Sequence, residues 1–312
     1  MLLSLKRIRQ ILGILWLIDG LLQLQPQMFT MNMVNKVLDP ITAGQPALIA
    51  SNLQWIVTVI TSNLVATNIV IAVVQIALGV LFLSGRWVRE TVIVSLVWSV
   101  LVWYGGEGMS LLLTGQGSAL TGAPGAVLLY PLIGLLIYPR KDDPEQGLIS
   151  RSAFRWFLAG FWLLSALLQL QPYWWQSGQI SGAISGMVGM GGGNNVVVDP
   201  ILTALANATA TLEIPLNSLL IIIFLALALA LVLVKEKQLR PVLIVSLVVS
   251  ILLWYGTQAL GGIFTGMATD FNSGLLLIVM TLAVWSKASQ VNVASDTSAQ
   301  TALQRENASQ IG

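Results

Sequence analysis

Cysteine and histidine are both absent from this 312-residue chain, and charged residues are scarce at 9%. Without cysteine there is no disulfide staple, no thiol redox chemistry and no iron–sulfur ligation. With histidine missing too, zinc sites of the Cys/His kind, histidine-held haem and a Ser-His-Asp hydrolase are excluded. The lack of cysteine says nothing about compartment, because a membrane bundle needs no disulfide. Basic residues are spread thinly rather than clustered, so nucleic-acid binding finds no support.

What is present in excess is apolar surface: 56% of the residues are hydrophobic, more than an ordinary globule keeps out of water. The composition predicts an all-α polytopic membrane protein. One crossing takes about 20 mostly apolar residues. Eight segments qualify, at 8–26, 63–84, 88–106, 123–139, 153–171, 215–234, 240–260 and 272–286. Lys6, Arg7 and Arg9 ahead of the first run suggest a signal peptide, but Asp19 interrupts it and no small-residue cleavage pattern follows, so it reads as a retained helix. Apart from Lys36, every Lys and Arg falls in the termini or in alternate loops. The positive-inside rule then places both termini in the cytoplasm of a plasma membrane of the bacterial inner-membrane type.

The organising feature is a repeat of about 150 residues. "RQILGILWLIDGLLQLQP" (9–26) answers "RWFLAGFWLLSALLQLQP" (155–172), "VLDPI" (37–41) answers "VVDPI" (197–201), and "IVSLVWSVLVWYG" (93–105) answers "IVSLVVSILLWYG" (244–256). Four crossings per copy imply parallel repeats, two four-helix bundles meeting at a pseudo-twofold seam. The expected organisation is a first repeat over 1–141 with an outer amphipathic helix, a cytoplasmic linker over 142–151, a second repeat over 152–286 and a disordered cytoplasmic tail over 287–312. The second repeat carries a Gly/Ser-rich insertion at 177–193 in its first outer loop. The outer helix is expected over 46–60, with Leu48, Trp55, Val59 and Ile60 toward one face. The Asp-Pro pairs at Asp39 and Asp199 read as helix N-caps.

Asp19 is the sharpest signal for chemistry. Ten residues beyond Arg9, at 1.5 Å each, its carboxyl lies about 15 Å into a hydrocarbon layer of roughly 30 Å. A charge there costs about 2.5–3.5 kcal/mol, and no Lys or Arg lies in the interior of a predicted span to offset it, Arg9, Arg89, Arg155 and Arg240 standing at the span ends. Asp19 therefore either serves as packing glue in its neutral form or faces a wet cavity where a proton, a cation or a ligand's donor meets it. Gln23 lies one turn on, and Asn68 and Gln75 of the second span form the opposite wall, with Asn63 at the rim. Copy two has Ser165 in place of Asp19 and Gln258 in place of Glu107, so titratable groups survive in one copy only. Trp103, Tyr104, Trp254, Tyr255, Tyr173, Trp174 and Trp175 share one level, as an interfacial aromatic belt or as a surface for ligand stacking. The outer loops hold Asp39, Glu107, Asp199, Glu213 and Asp270 against Lys36, a field that attracts cations.

The opening "RIRQILGILWLIDGLLQL", with Arg9, Leu12-Gly13, Gly20 and Gln23, resembles the first helix of the DoxX-like superfamily of four-helix membrane proteins. The resemblance spans each half, about 285 residues in all, with the tandem fusion and long outer loops as departures. It implies a bundle and no particular reaction. Such families include subunits of quinone-linked sulfur oxidation and proteins that assist the maturation of others.

Three readings stay open. One is a non-enzymatic binding or transport protein for a small cationic or proton-coupled solute, its outward-facing cavity lined by Asp19, Gln23, Asn68, Gln75, Trp103, Tyr104 and Glu107. A second is a redox accessory holding quinone or lipid, with a membrane protein partner carrying the electrons. The third is a structural or chaperone-like partner. None calls for a metal or a resident cofactor.

Overall fold

In a computed structural model of the chain, residues 3–141, 143, 146–189, 196 and 198–285 are described. The tail expected over 287–312, part of the glycine-rich insertion and three residues of the linker region lie outside them. The helices, in chain order, are α1 (Leu5–Leu22), α2 (Met31–Met33), α3 (Ala47–Ser62), α4 (Leu64–Ser84), α5 (Val88–Gly105), α6 (Ala126–Gly134), α7 (Arg151–Gln169), α8 (Gln179–Ser185), α9 (Asp199–Thr209), α10 (Glu213–Leu233), α11 (Leu239–Gly256) and α12 (Asn272–Trp285). Among the described residues there is no strand, and the linker makes one isolated bridge, Pro139 to Gly147.

Four of these helices are long and apolar enough to cross a membrane: α4, α5, α10, and α11 together with the turn leading into it (Glu236–Gly256). Their outer faces carry bare aliphatic side chains, among them Val73 and Val80 on α4, Leu101 on α5, Ile222 on α10 and Leu252 on α11, as lipid contact requires. The helices α1 and α7 are nearly as long at 18 and 19 residues, but basic residues open both.

Local chemistry fixes where the helices start and stop. Ser4 Oγ accepts from Arg7 N–H (3.2 Å) at the start of α1, and Ser150 Oγ accepts from Ala153 N–H (3.1 Å) at the start of α7. Arg155 reaches the last carbonyls of α10, donating to Leu231 O and, through Nη2, to Val232 O (3.0 Å) and Val234 O (2.9 Å).

Helix α1 packs along α4, and α7 along α10. Glycines let α1 and α4 meet backbone to backbone: a Cβ on Gly79 would lie 2.6 Å from Leu17 N and 2.8 Å from Gly13 O. Helices α6 (9 residues) and α12 (14 residues) pack against each other, and most of their residues are buried. One continuous core runs through both halves, from Leu12, Trp16 and Phe82 to Trp162, Phe224 and Met280. A smaller cluster of Met28, Met33, Val34, Leu38 and Val57 seals the first outer loop.

The outer segments differ from expectation in three places. Helix α3 does form and exposes Leu48, Trp55 and Val59, but it also buries Leu53 and Val57 on the body of the protein. Of the two Asp-Pro pairs, Asp39 does stand at the N-cap of a helical turn, Pro40–Thr42, but its side chain makes no capping bond, and Asp199 is not an N-cap but the first residue of α9, after Val198. Trp174 leaves the aromatic belt and is buried, its indole N–H donating to Gly117 O (3.4 Å).

The loops after α5 and α11 each lean on the other half. Ser118 Oγ donates to Gln169 Oε1 (2.7 Å), Gln258 Nε2 to Ala119 O (2.9 Å), and Gln25 Nε2 to Ala268 O (3.4 Å). This exchange carries Asp270, late in the chain, to the N-terminal half.

Candidate functional site: a polar-ended cavity beside α1

A cavity of about 200 Å³ lies among α1, α3, α4, α5 and α6. Its polar end is formed by Asp19 and Gln23 of α1, Gln75 of α4, Tyr130 of α6, and Glu107 and Asp270 from the loops. The remaining wall is largely apolar, with Ile56 and Ile60 from α3, Ile71 from α4, and Leu101 and Val102 from α5. Among the described residues no lysine or arginine lines it.

Asp19 is 1% exposed, and one of its oxygens is held: Tyr130 Oη donates to Oδ2 at 2.5 Å. Tyr130 is positioned by Trp16, whose ring packs on it at a centroid distance of 4.5 Å. The other carboxyl oxygen, Oδ1, has no hydrogen-bond partner within the protein, and the same is true of Gln23 Oε1, Gln75 Oε1, Trp16 Nε1 and Trp98 Nε1. All five side chains line the cavity. Buried polar groups are nearly always paired, so five unpaired atoms on side chains that line one space mark it as a candidate binding site.

Glu107 follows α5 and faces the start of α6. Its Oε1 accepts from Val127 N–H (3.2 Å) and its Oε2 from Ser110 Oγ (3.3 Å). Burial, and then the nearby Asp270, pushes the Glu107 carboxyl up to about 8, and burial raises Asp270 as well. Behind Glu107 the backbone turns left-handed at Met109, Ser110 and Leu111 (φ 54°, 53° and 58°), a conformation costing about 1–2 kcal/mol per residue. Gln45 Nε2 pins the turn by donating to Gly108 O (2.8 Å). A second cavity, of about 230 Å³, opens on the far side of Glu107 and Asp270, so these two carboxyls separate two spaces.

The structure therefore gathers Asp19, Gln23, Gln75 and Glu107 at one cavity. Asn68 stands one layer behind, its amide donating to Gln23 O (2.6 Å), and Asn63 is exposed away from the site. Neither Trp103 nor Tyr104 lines the cavity; the Trp103 indole donates to Pro124 O (2.6 Å). Sequence reasoning missed Tyr130, Trp16 and Trp98 as site residues and took Asp270 only as part of an acidic outer face. Among the described residues no group of three His, Cys, Asp or Glu is placed to hold a metal ion.

Three of the sequence-matched positions in the C-terminal half are closed, whereas Gln169, the match of Gln23, keeps an unpaired Nε2. Ser165 Oγ donates to Phe161 O in its own helix (2.8 Å). Trp162 Nε1 donates to Ser246 Oγ (3.1 Å), which bonds Thr281 Oγ1 (3.0 Å). Gln258 Oε1 accepts from Gly274 N–H at the start of α12 (2.9 Å), and its amide donates to Ser273 Oγ (3.1 Å) as well as to Ala119 O.

The chain matches no protein-family model, no curated protein and no solved structure.

Proposed function

We propose that this chain is a plasma-membrane protein of eight crossings that binds, and carries across, a small cationic solute in the Asp19 cavity. The observation that carries the reading is the set of unpartnered acceptors, Asp19 Oδ1, Gln23 Oε1 and Gln75 Oε1, in a space lined by three carboxyl-bearing residues and no basic one. A cation with N–H donors meets all three acceptors, and the mildly acidic outer loops draw it in.

Two parallel four-helix units with cytoplasmic termini fit the alternation of basic loops and the paired bonds. Asn68 donates to Gln23 O and Asn217 to Gln169 O (3.1 Å), while Trp103 donates to Pro124 O and Trp254 to Phe271 O (2.7 Å). In this reading α6 and α12 are partial crossings, completed by loops that reach membrane depth only where protein surrounds them. Kinship to DoxX-like bundles adds the close approach of Gly13 and Gly20 to α4. A redox accessory holding a quinone is the second reading, favoured by two free indole donors, Trp16 Nε1 and Trp98 Nε1.

Guanidinium, a permanent cation with donors on every side, is the probe. Calorimetry on protein in lipid nanodiscs, with uptake of the labelled ion by proteoliposomes, compares wild type and Asp19→Asn. A carboxylate about 4 Å from a cation is worth roughly 2–4 kcal/mol at partly buried sites, so binding should weaken about 30- to 1000-fold and uptake should stop. Equal binding by a correctly inserted Asp19→Asn protein refutes the reading.

A further inference from the structure

The cavity has two kinds of lining. Asp19, Gln23 and Gln75 bring unpaired acceptors to it, and Trp16 and Trp98 unpaired indole donors. Ile56, Ile60, Ile71, Leu101 and Val102 offer hydrocarbon only. Leu101 belongs to both the cavity and the outer surface: it lines the space and is 60% exposed on the lipid-type face of α5. A fully hydrated ion would leave that apolar wall unmatched. The carboxyls are also too dispersed to ligate a metal ion among the described residues.

We propose, resting on the cation-binding reading above, that the ligand is an amphiphile, a primary ammonium on a short hydrocarbon body, and that it reaches the cavity from the bilayer past Leu101, between α4 and α5. The ammonium donates to Asp19 Oδ1, Gln23 Oε1 and Gln75 Oε1, and the chain lies along α3 and α5. Each added methylene buries apolar surface until the cavity is full.

The test measures the affinity of methyl-, propyl-, pentyl- and hexylammonium for the full chain in nanodiscs, with hexanol and hexanoate as controls and guanidinium as the reference cation. Affinity should rise about fourfold per methylene and then level off, and hexanoate should not bind. In Gly105→Ala the levelling should come at a shorter chain; a Cβ there would stand 3.6 Å from Ile56, so the variant folds while narrowing the space. Leu101→Trp, on the exposed rim, should slow association of the longer amines several-fold. Guanidinium binding that depends on Asp19, together with a flat amine series, overturns this inference and leaves the cation site standing. If neither guanidinium nor any amine binds in an Asp19-dependent way, the underlying reading falls too. Unchanged association rates in Leu101→Trp overturn the route through the bilayer.

Discussion

Replacing Glu107 by glutamine turns the N-terminal half into a copy of what the chain already builds around Gln258. The geometry permits it: Oε1 keeps the Val127 N–H at 3.2 Å, as Gln258 Oε1 keeps the Gly274 N–H at 2.9 Å, and the new amide can donate to Ser110 Oγ. What changes is titration. Glu107 has a folded value of about 8 against an ordinary 4.5, so its contribution to stability is fully present below about pH 4.5 and is lost as the pH rises through about 8. Each pH unit within that window removes about 1.4 kcal/mol, so between pH 5 and pH 8 the wild type gives up on the order of 4 kcal/mol that the Glu107→Gln protein keeps. At about 2 °C per kcal/mol for a chain of this size, the two melting curves should diverge by roughly 8 °C. Asp270 raises Glu107 through its charge, so the difference between the two curves reads the pair of carboxyls rather than Glu107 alone. Thermal melting in nanodiscs from pH 5 to pH 9 reads the effect. Parallel curves for the two proteins would mean that Glu107 titrates as an ordinary solvated carboxyl, and the argument from its burial would be wrong.

Gly79→Ala should cost about 1–3 kcal/mol, because its Cβ meets backbone atoms of α1 that move only if the two helices part, whereas Gly160→Ala, with nothing within 4 Å, should gain up to about 1 kcal/mol; shifts of the same sign in thermal melting would contradict the packing. Tyr130→Phe leaves Asp19 with neither oxygen bonded and should cost about 1–3 kcal/mol in the wild type, but under about 0.5 kcal/mol in an Asp19→Ser background, where the hydroxyl closes on its own helix as Ser165 does; equal losses in both backgrounds would sink the pairing.

Much of the helical layout was legible because long apolar runs are a local signal. The segment read at 63–84 is α4 at Leu64–Ser84, and that read at 88–106 is α5 at Val88–Gly105. The shorter α6 was overdrawn, since "GAPGAVLLYPLIGLLIY" stays apolar well past Gly134, where helical geometry gives way to turns. Half of the site was legible for a related reason. Asp19, Gln23 and Gln75 are polar residues inside apolar runs, and such an interruption can be read along the chain. Asp270 and Tyr130 could not be found that way. Asp270 reaches the cavity through a loop that crosses between halves, and Tyr130 is one aromatic residue in an apolar helix until the fold sets its hydroxyl on Asp19. The Asp-Pro pattern located the cap at Asp39 but not at Asp199, because Pro in the first turn does not fix which residue stands at the cap.

The internal likeness of the two halves supplies the strongest argument that the cavity is kept for a ligand. Trp162 has its indole satisfied by Ser246, yet Trp16 and Ser95, the residues that the sequence pairs with them, both lack partners in the interior. The chain thus contains a closed solution to the same packing problem and does not use it beside α1. Each buried group left unpaired costs about 1–3 kcal/mol, which a water or a ligand bonded to it recovers. On the proposed cation-binding reading, function lies in the differences between the halves, at Asp19 against Ser165 and Glu107 against Gln258, rather than in the features they have in common.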